Sequence, residues 1–318
     1  MKENPLFEDD GLSFLTHVRE VSKIIPIQST ILKEIVDFFQ EKGFHQLMPV
    51  ILSTVTDPLA PDPSAKIKKV GEIEAYGQRL KLTQSMICHK QAALISGLKK
   101  IFIISPNIRL EDEIRRETGK HLFEFSQVDF EIANGKMQDV FELMEEFLVR
   151  VITKVKEKHS DILEELGRDL RIPKPPFRRY TTKELYEKYG ESWEDLVSKD
   201  STDPVWVLDH KREFYDKEDP ARPGHYLNYD LIYPEGFGEA LSGGEREIDY
   251  AIIERKLKER PDIVQQFSTF FELSRRGLLI PSAGAGFGFE RLLRFLTGKR
   301  HIREVQFFPR VPGEKVFM

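Results

Sequence analysis

The sequence predicts an α+β protein built on a mainly antiparallel sheet flanked by helices, and three observations predict it. Apolar residues recur at three- and four-residue spacing in two long segments, period-two alternation runs through two segments between them, and several connections have the polarity and length of hairpin loops. Ile31, Leu32, Ile35, Phe38 and Phe39 make the first amphipathic helix, stopped by Lys42 and Gly43. Ile101 to Glu111 and Phe125 to Ala133 read as strands. In the first, Phe102, Ile104, Ile108 and Leu110 share one side, and Ser105, Asn107, Arg109 and Glu111 the other. In the second, Val128, Phe130 and Ile132 oppose Phe125, Gln127, Asp129 and Glu131. Each strand thus has one polar face, which suits either solvent or a ligand surface. Phe125 among the acids favours a ligand that stacks.

The polar stretch Asp112 to Lys120 reads as the loop joining these strands. A second helix follows from about Asp139 to Lys158, with Val140, Phe141, Met144, Phe147, Leu148, Val151, Ile152 and Val155 on one stripe. Residues 161–203 are charged and read as a connecting helical insertion within one catalytic domain that covers 1–318. Turn-rich strands return at 226–230 and 239–250, then a helical stretch to about Arg260 and a last helix from about Phe287 to Thr297.

Of the 318 residues, 40% are hydrophobic and 32% charged, enough apolar material for a large core. No apolar run reaches the roughly 20 residues of a membrane helix, so no membrane association is expected. The N-terminal residues carry no signal-peptide pattern. Cys88 is the one cysteine, which excludes a disulfide framework and a cysteine-built metal site. The expected location is the cytoplasm. A net charge of −5 argues against wholesale coating of nucleic acid and permits a local basic patch.

Two constellations carry candidate chemistry. Ser282 to Arg291 has glycines at 284, 286 and 288, which strip side chains from one strand face; either a flat ligand or tight helix packing uses that space. Asp230 and Glu239 precede Ser242-Gly243-Gly244-Glu245-Arg246. Such carboxylates hold Mg²⁺ or lie solvated on a surface.

Ordered blocks over nearly the whole chain resemble class II aminoacyl-tRNA synthetases of the aspartyl/asparaginyl type. Gly43 to Val50, with Pro49, resembles motif 1 of the dimer interface. Ile108-Arg109-Leu110-Glu111 and His121 to Glu131 resemble motif 2, Gly236 to Glu247 the amino-acid-binding strand, and Gly286 to Arg291 motif 3. The resemblance implies the class II catalytic fold, a homodimer, ATP and Mg²⁺. It implies ATP-binding roles for Arg109, Glu111, His121, Phe125, Glu239 and Arg291, with Arg109 and Arg291 catalytic. Asp230 and Glu239 would hold the metal. Lys90, in Thr83-Gln84-Ser85-Met86-Ile87-Cys88-His89-Lys90-Gln91, matches the aspartate-reading lysine, and Arg246 its partner arginine. With Gln84, Ser85 and Gln127 they would form the amino-acid site. Two cations for one anion favour aspartate over asparagine. Ile87 departs from the glutamine usual there, and Asp57 or Asp62 would serve the α-amino group instead.

Motif 1 lies within the first 50 residues, so no anticodon-binding domain is expected. The chain resembles most the stand-alone archaeal asparagine synthetases related to asparaginyl-tRNA synthetase. That resemblance implies aspartate activated by ATP to aspartyl-adenylate, then amidated by ammonia with release of AMP and pyrophosphate, and tRNA not expected as a partner. The alternatives are an aminoacyl transferase acting on tRNA, or on a tRNA or protein modification target, and a silent synthetase-like binding subunit.

Overall fold

The expected stripe after Ile31 begins much earlier. In the computed structural model, which describes residues 12–57, 59, 67–211, 214–259 and 267–316, helix α1 spans Leu12–Glu41 with Pro26 inside it. Proline removes one helix hydrogen bond and disfavours an interior position. Here Val21, Ile24 and Ile27 continue the buried stripe across it, and burial outweighs the local preference. Gly43 ends the segment at φ +80°, a left-handed conformation glycine reaches without a Cβ clash.

Two short strands follow, β1 (His45–Leu47) and β2 (Leu52–Ser53), then β3 (Ile67–Lys69), β4 (Glu72–Ala75), β5 (Gln78–Leu82) and helix α2 (Ile87–Leu94). The alternating segments form β6 (Lys100–Ile108), β7 (Leu110–Glu111) and β8 (Glu124–Ala133), followed by α3 (Met137–Lys158). The loop between β7 and β8 is a short 3-10 turn, capped by the Asp112 carboxylate on the Ile114 N–H and closed by Gly119 at φ +65°.

The charged segment becomes α4 (Ser160–Glu165), β9 (Arg178–Thr181), α5 (Thr182–Tyr189) and α6 (Trp193–Asp200). Then come β10 (Val205–Leu208), β11 (Asn228–Tyr233), β12 (Gly238–Glu245), α7 (Tyr250–Lys258), α8 (Ser268–Arg275), β13 (Ser282–Gly288) and α9 (Phe289–Thr297). At eight residues each, α2 and α8 are too short for apolar periodicity to reveal.

Eight strands form one sheet in the order β1-β6-β8-β13-β12-β11-β10-β9. Only its two outer pairings, β1 with β6 and β10 with β9, are parallel. The expected mainly antiparallel sheet flanked by helices is therefore the observed one. Helices α1, α3 and α9 bury one face: Ile35, Phe38 and Phe39 meet Phe102, Phe130, Phe147 and Phe287 in a single apolar cluster. Phe39 stacks on Phe102 with ring centroids 5.1 Å apart. A smaller cluster on the opposite face joins Ile87 and Cys88 to Phe214, Ile253, Leu257 and Phe270, so Cys88 is a packing residue. Among the described residues no helix is long and apolar enough to cross a membrane.

Candidate functional site

Strand alternation sends Gln127, Asp129 and Glu131 of β8 to the face opposite the large core, while Val128 and Phe130 enter it. That polar face is not solvated: Ser105, Asn107 and Glu131 are all fully buried. Phe125, Gln127 and Asp129 of that face form the floor of a cavity of about 570 Å³, with Glu131 just beyond its lining, within the range usual for small-molecule sites. From Phe125 to Asp129 the floor extends roughly 13 Å at the usual strand rise.

At the Phe125 end, Arg109 donates from Nε to the Gln84 carbonyl at 3.0 Å and from Nη2 to Gln127 Oε1 at 3.3 Å. Its guanidinium lies 5.1 Å over the Phe125 ring. Arg291, at the start of α9, donates from Nε to the Lys120 carbonyl and from Nη1 to the Glu239 carbonyl, each at 3.3 Å, and sits 3.3 Å from the Glu239 carboxylate. Glu111 and His121 line the same end. Burial raises the Glu111 carboxyl above its ordinary value despite Arg109, Arg115 and Arg291. Burial first, then the cations Arg291, Arg115 and Lys120, hold His121 far below the ordinary imidazole value. Burial and the neighbouring cations thus favour the neutral imidazole of His121.

The Glu131 end is organised differently. Lys90 Nζ lies 3.2 Å from Asp129 Oδ1 and 3.3 Å from Glu131 Oε2, and also donates to the Phe130 and Ala285 carbonyls. Arg246 grips Glu131 with Nε at 2.9 Å and Nη2 at 3.2 Å, and has Asp216 Oδ1 at 3.8 Å. Burial opposes the charge on Glu131, but Arg246 and then Lys90 outweigh it and hold the carboxyl below its usual range. The sequence reading presented Lys90 and Arg246 as a pair of cations awaiting a carboxylate. The fold supplies carboxylates to both, because β8 places two acids on the face they share.

The glycines of β13 serve this network. A Cβ at Gly284 would lie 2.2 Å from Glu131 Oε2, and one at Gly286 would lie 2.1 Å from Gln127 Nε2. The cleared space holds side chains of the neighbouring strand, a use that neither the ligand reading nor the helix-packing reading contained.

Ser85 lines the cavity and accepts the Ile87 N–H. Gln84 does not belong to the lining. It lies behind the wall, where Nε2 donates to the Asp57 carbonyl at 2.6 Å and its own carbonyl anchors Arg109. Asp57, beside Tyr215 whose hydroxyl donates to Oδ2 at 2.8 Å, does line the cavity; burial pushes its carboxyl up. Asp62 falls outside the described residues.

Asp230 and Glu239 face the same cavity. The pairing of β11 with β12 shifts between Leu231 and Ile232, so Ala240 is an extra residue. That bulge brings Glu239 to the face of Ser242, three positions on, where plain alternation would oppose them. His210 Nε2 stands 3.4 Å from Asp230 Oδ2. Among the described residues no group of three His, Cys, Asp or Glu is arranged to hold a metal ion. Two carboxylate donors nevertheless suit Mg²⁺, which commonly takes one or two and completes its shell with phosphates and water.

The sequence reading missed Asp129 and Glu131 as partners of Lys90 and Arg246, although alternation had placed them on the polar face. It missed Tyr215, Asp216 and His210 altogether, since they stand in or beside loops without periodicity.

Residues 13–312 match the family described as tRNA synthetases class II (D, K and N). The chain is 29% identical over 336 residues to an asparagine–tRNA ligase of Thermoplasma acidophilum, covering 96% of this chain and 75% of that protein. It is 30% identical over 333 residues to one of Pelotomaculum thermopropionicum, covering 96% and 74%. The structure of asparaginyl-tRNA synthetase from Pyrococcus horikoshii complexed with asparaginyl-adenylate superposes with a TM-score of 0.85 at 25% identity, over 99% of this chain and 75% of that one. The class II fold is thereby confirmed, and two expectations are overturned. These relatives are tRNA ligases, which contradicts ammonia-dependent synthesis of asparagine from aspartate. It equally contradicts the expectation that tRNA is no partner. The physical error lay in counting Lys90 and Arg246 as available positive charge.

Proposed function

The chain belongs to the class II tRNA synthetases of the aspartate, lysine and asparagine type, a family of ATP-dependent ligases, and we propose that it activates asparagine as its adenylate and transfers the acyl group to tRNA. The observation that carries this reading is the compensated Lys90–Asp129–Glu131–Arg246 network. With both cations already paired, a second carboxylate would enter without a free counter-charge, whereas a neutral amide needs only hydrogen bonds. The relatives' names and the bound asparaginyl-adenylate of the Pyrococcus structure support the same choice.

In this reading the asparagine α-carboxylate attacks the α-phosphorus of ATP and pyrophosphate leaves. A ribose hydroxyl of the tRNA end then attacks the acyl carbon, and AMP leaves. Arg109 binds the α-phosphate and Arg291 the far phosphates, where fixed cations stabilise the charge that builds on phosphoryl oxygens. Phe125 stacks with adenine. His121, held neutral, and Glu111 orient the nucleotide by hydrogen bonds. Asp230 and Glu239 would hold Mg²⁺, which when bound offsets phosphate charge. No protein nucleophile is required. Ser85, Gln127 and Asp57 bind the amino acid, Asp57 as the carboxyl partner of its α-ammonium group. Gln84 contributes by anchoring Arg109.

The test is ATP–pyrophosphate exchange with each amino acid, followed by charging of tRNA. Exchange driven by asparagine well above that driven by aspartate, with label passing to tRNA, is the expected result. Free asparagine formed from aspartate and ammonium without RNA would overturn the proposal. Met48, Val50 and Ile51 lie exposed around Pro49, which supports a two-fold dimer through this segment; sedimentation equilibrium at the monomer mass would contradict it.

A further inference from the structure

Behind the Arg291 end of the cavity lies a second, separate hollow of about 320 Å³, lined by Lys120, Asp195, Phe237, Arg294 and Arg300 among others. Lys120 lines both spaces. Its Nζ lies 2.8 Å from Glu194 on the cavity side and 3.7 Å from Asp195 on the other. Its carbonyl accepts Arg291 Nε at 3.3 Å. One ion-paired lysine is thus the partition between the two.

Glu117 and Asp195 also line the hollow, but they pair with Arg116 and Lys120 and not with its arginines. Arg294 is only 4% exposed and donates to two carbonyls, Gly119 at 2.9 Å and Phe237 at 2.7 Å. Its Nε has no hydrogen-bond partner among the described residues. Arg300 is exposed and donates to the Glu235 carbonyl at 3.2 Å. Both guanidinium groups crowd the Phe237 ring, at 5.2 and 5.0 Å. Neither forms an ion pair with a carboxylate of the described residues. Burial, then repulsion from Arg291 and Arg300, lowers Arg294 to about 10, the response of a cation among like charges. A buried guanidinium without a counter-ion is costly, and a small polyanion removes that cost.

We propose that this hollow is a second phosphate-type subsite that takes inorganic pyrophosphate from the catalytic cavity, past Lys120, onto Arg294 and Arg300. The assignment rests on the adenylate-forming reading above, which generates pyrophosphate on the other side of the partition. The hollow holds on the order of ten waters, the scale of a diphosphate and not of a helical RNA end.

The experiment is calorimetric titration of inorganic pyrophosphate into the full chain, alone and with the cavity saturated by α,β-methylene-ATP. Pyrophosphate should still bind the saturated protein, and Arg300→Ala, an exposed and fold-neutral change, should weaken that binding by about tenfold or more, with the affinity for the analogue unchanged. Arg300→Glu should weaken it further. Loss of pyrophosphate binding when the analogue is present would overturn the proposal, since only the catalytic phosphate subsite would then be at work. So would unchanged binding in Arg300→Ala. A raised KM for tRNA in that variant without any effect on pyrophosphate would assign the hollow to RNA phosphates instead, and also overturns it. Failure of the analogue to bind at all would count against the ATP reading itself and is seen in a separate titration.

Discussion

At one end of the cavity Arg109 is held by a carbonyl and an amide oxygen, and Arg291 by two carbonyls with one carboxylate beside it. At the other end Lys90 and Arg246 share Glu131 at 3.3 and 2.9 Å, and Lys90 also pairs with Asp129 at 3.2 Å. Both ends carry cations. The first leaves positive charge for phosphates; burial, and then these cations, hold His121 below its ordinary value. The second spends its field internally and offers a neutral, hydrogen-bonding wall. What a positive side chain does in a site therefore depends on its partners and not on its presence.

The sharpest way to break this contrast is Glu131→Gln. It leaves buried Arg246 with Asp216 at 3.8 Å and buried Lys90 with Asp129 alone, and a loss of about 3–5 kcal/mol of stability is expected, read from urea midpoints; a loss below about 1 kcal/mol would show that the remaining groups compensate them. Next comes Arg109→Ala, expected to lower asparagine-dependent exchange by about 10²–10³ while the melting temperature stays nearly constant, because its partners are a carbonyl and an amide. Asp129→Asn should leave the fold intact and free part of the Lys90 charge, moving the asparagine-to-aspartate exchange ratio about tenfold toward aspartate. An unmoved ratio would sever the network from specificity.

The smallest effect is a pH dependence. His121 has its folded value depressed below the ordinary 6.5, so between about pH 7 and pH 5 the unfolded chain takes up a proton that the folded chain refuses. Stability is expected to fall as pH falls through that window, and His121→Gln should flatten the slope of denaturant midpoint against pH. An identical slope in the variant would place the effect on other histidines, such as His17, His89 and His301, which burial also lowers.

Local pattern was enough to find the strands of β6 and β8, the long helix α3, the glycine end of α1 and the ordered blocks that mark the family, because each is written in residues close together in the chain. The period of two that sends Val128 and Phe130 inward also sends Asp129 and Glu131 to the site, whatever lies above them. Tertiary contact alone decided the rest. The bulge at Ala240 turned Glu239 toward Ser242, the glycines of β13 made room for side chains from another strand, and Lys90, Arg246 and Glu131 met from three separate elements. Charge compensation depends on distances of a few ångströms between residues as many as 115 positions apart in the chain, and spacing along a sequence carries no record of such distances.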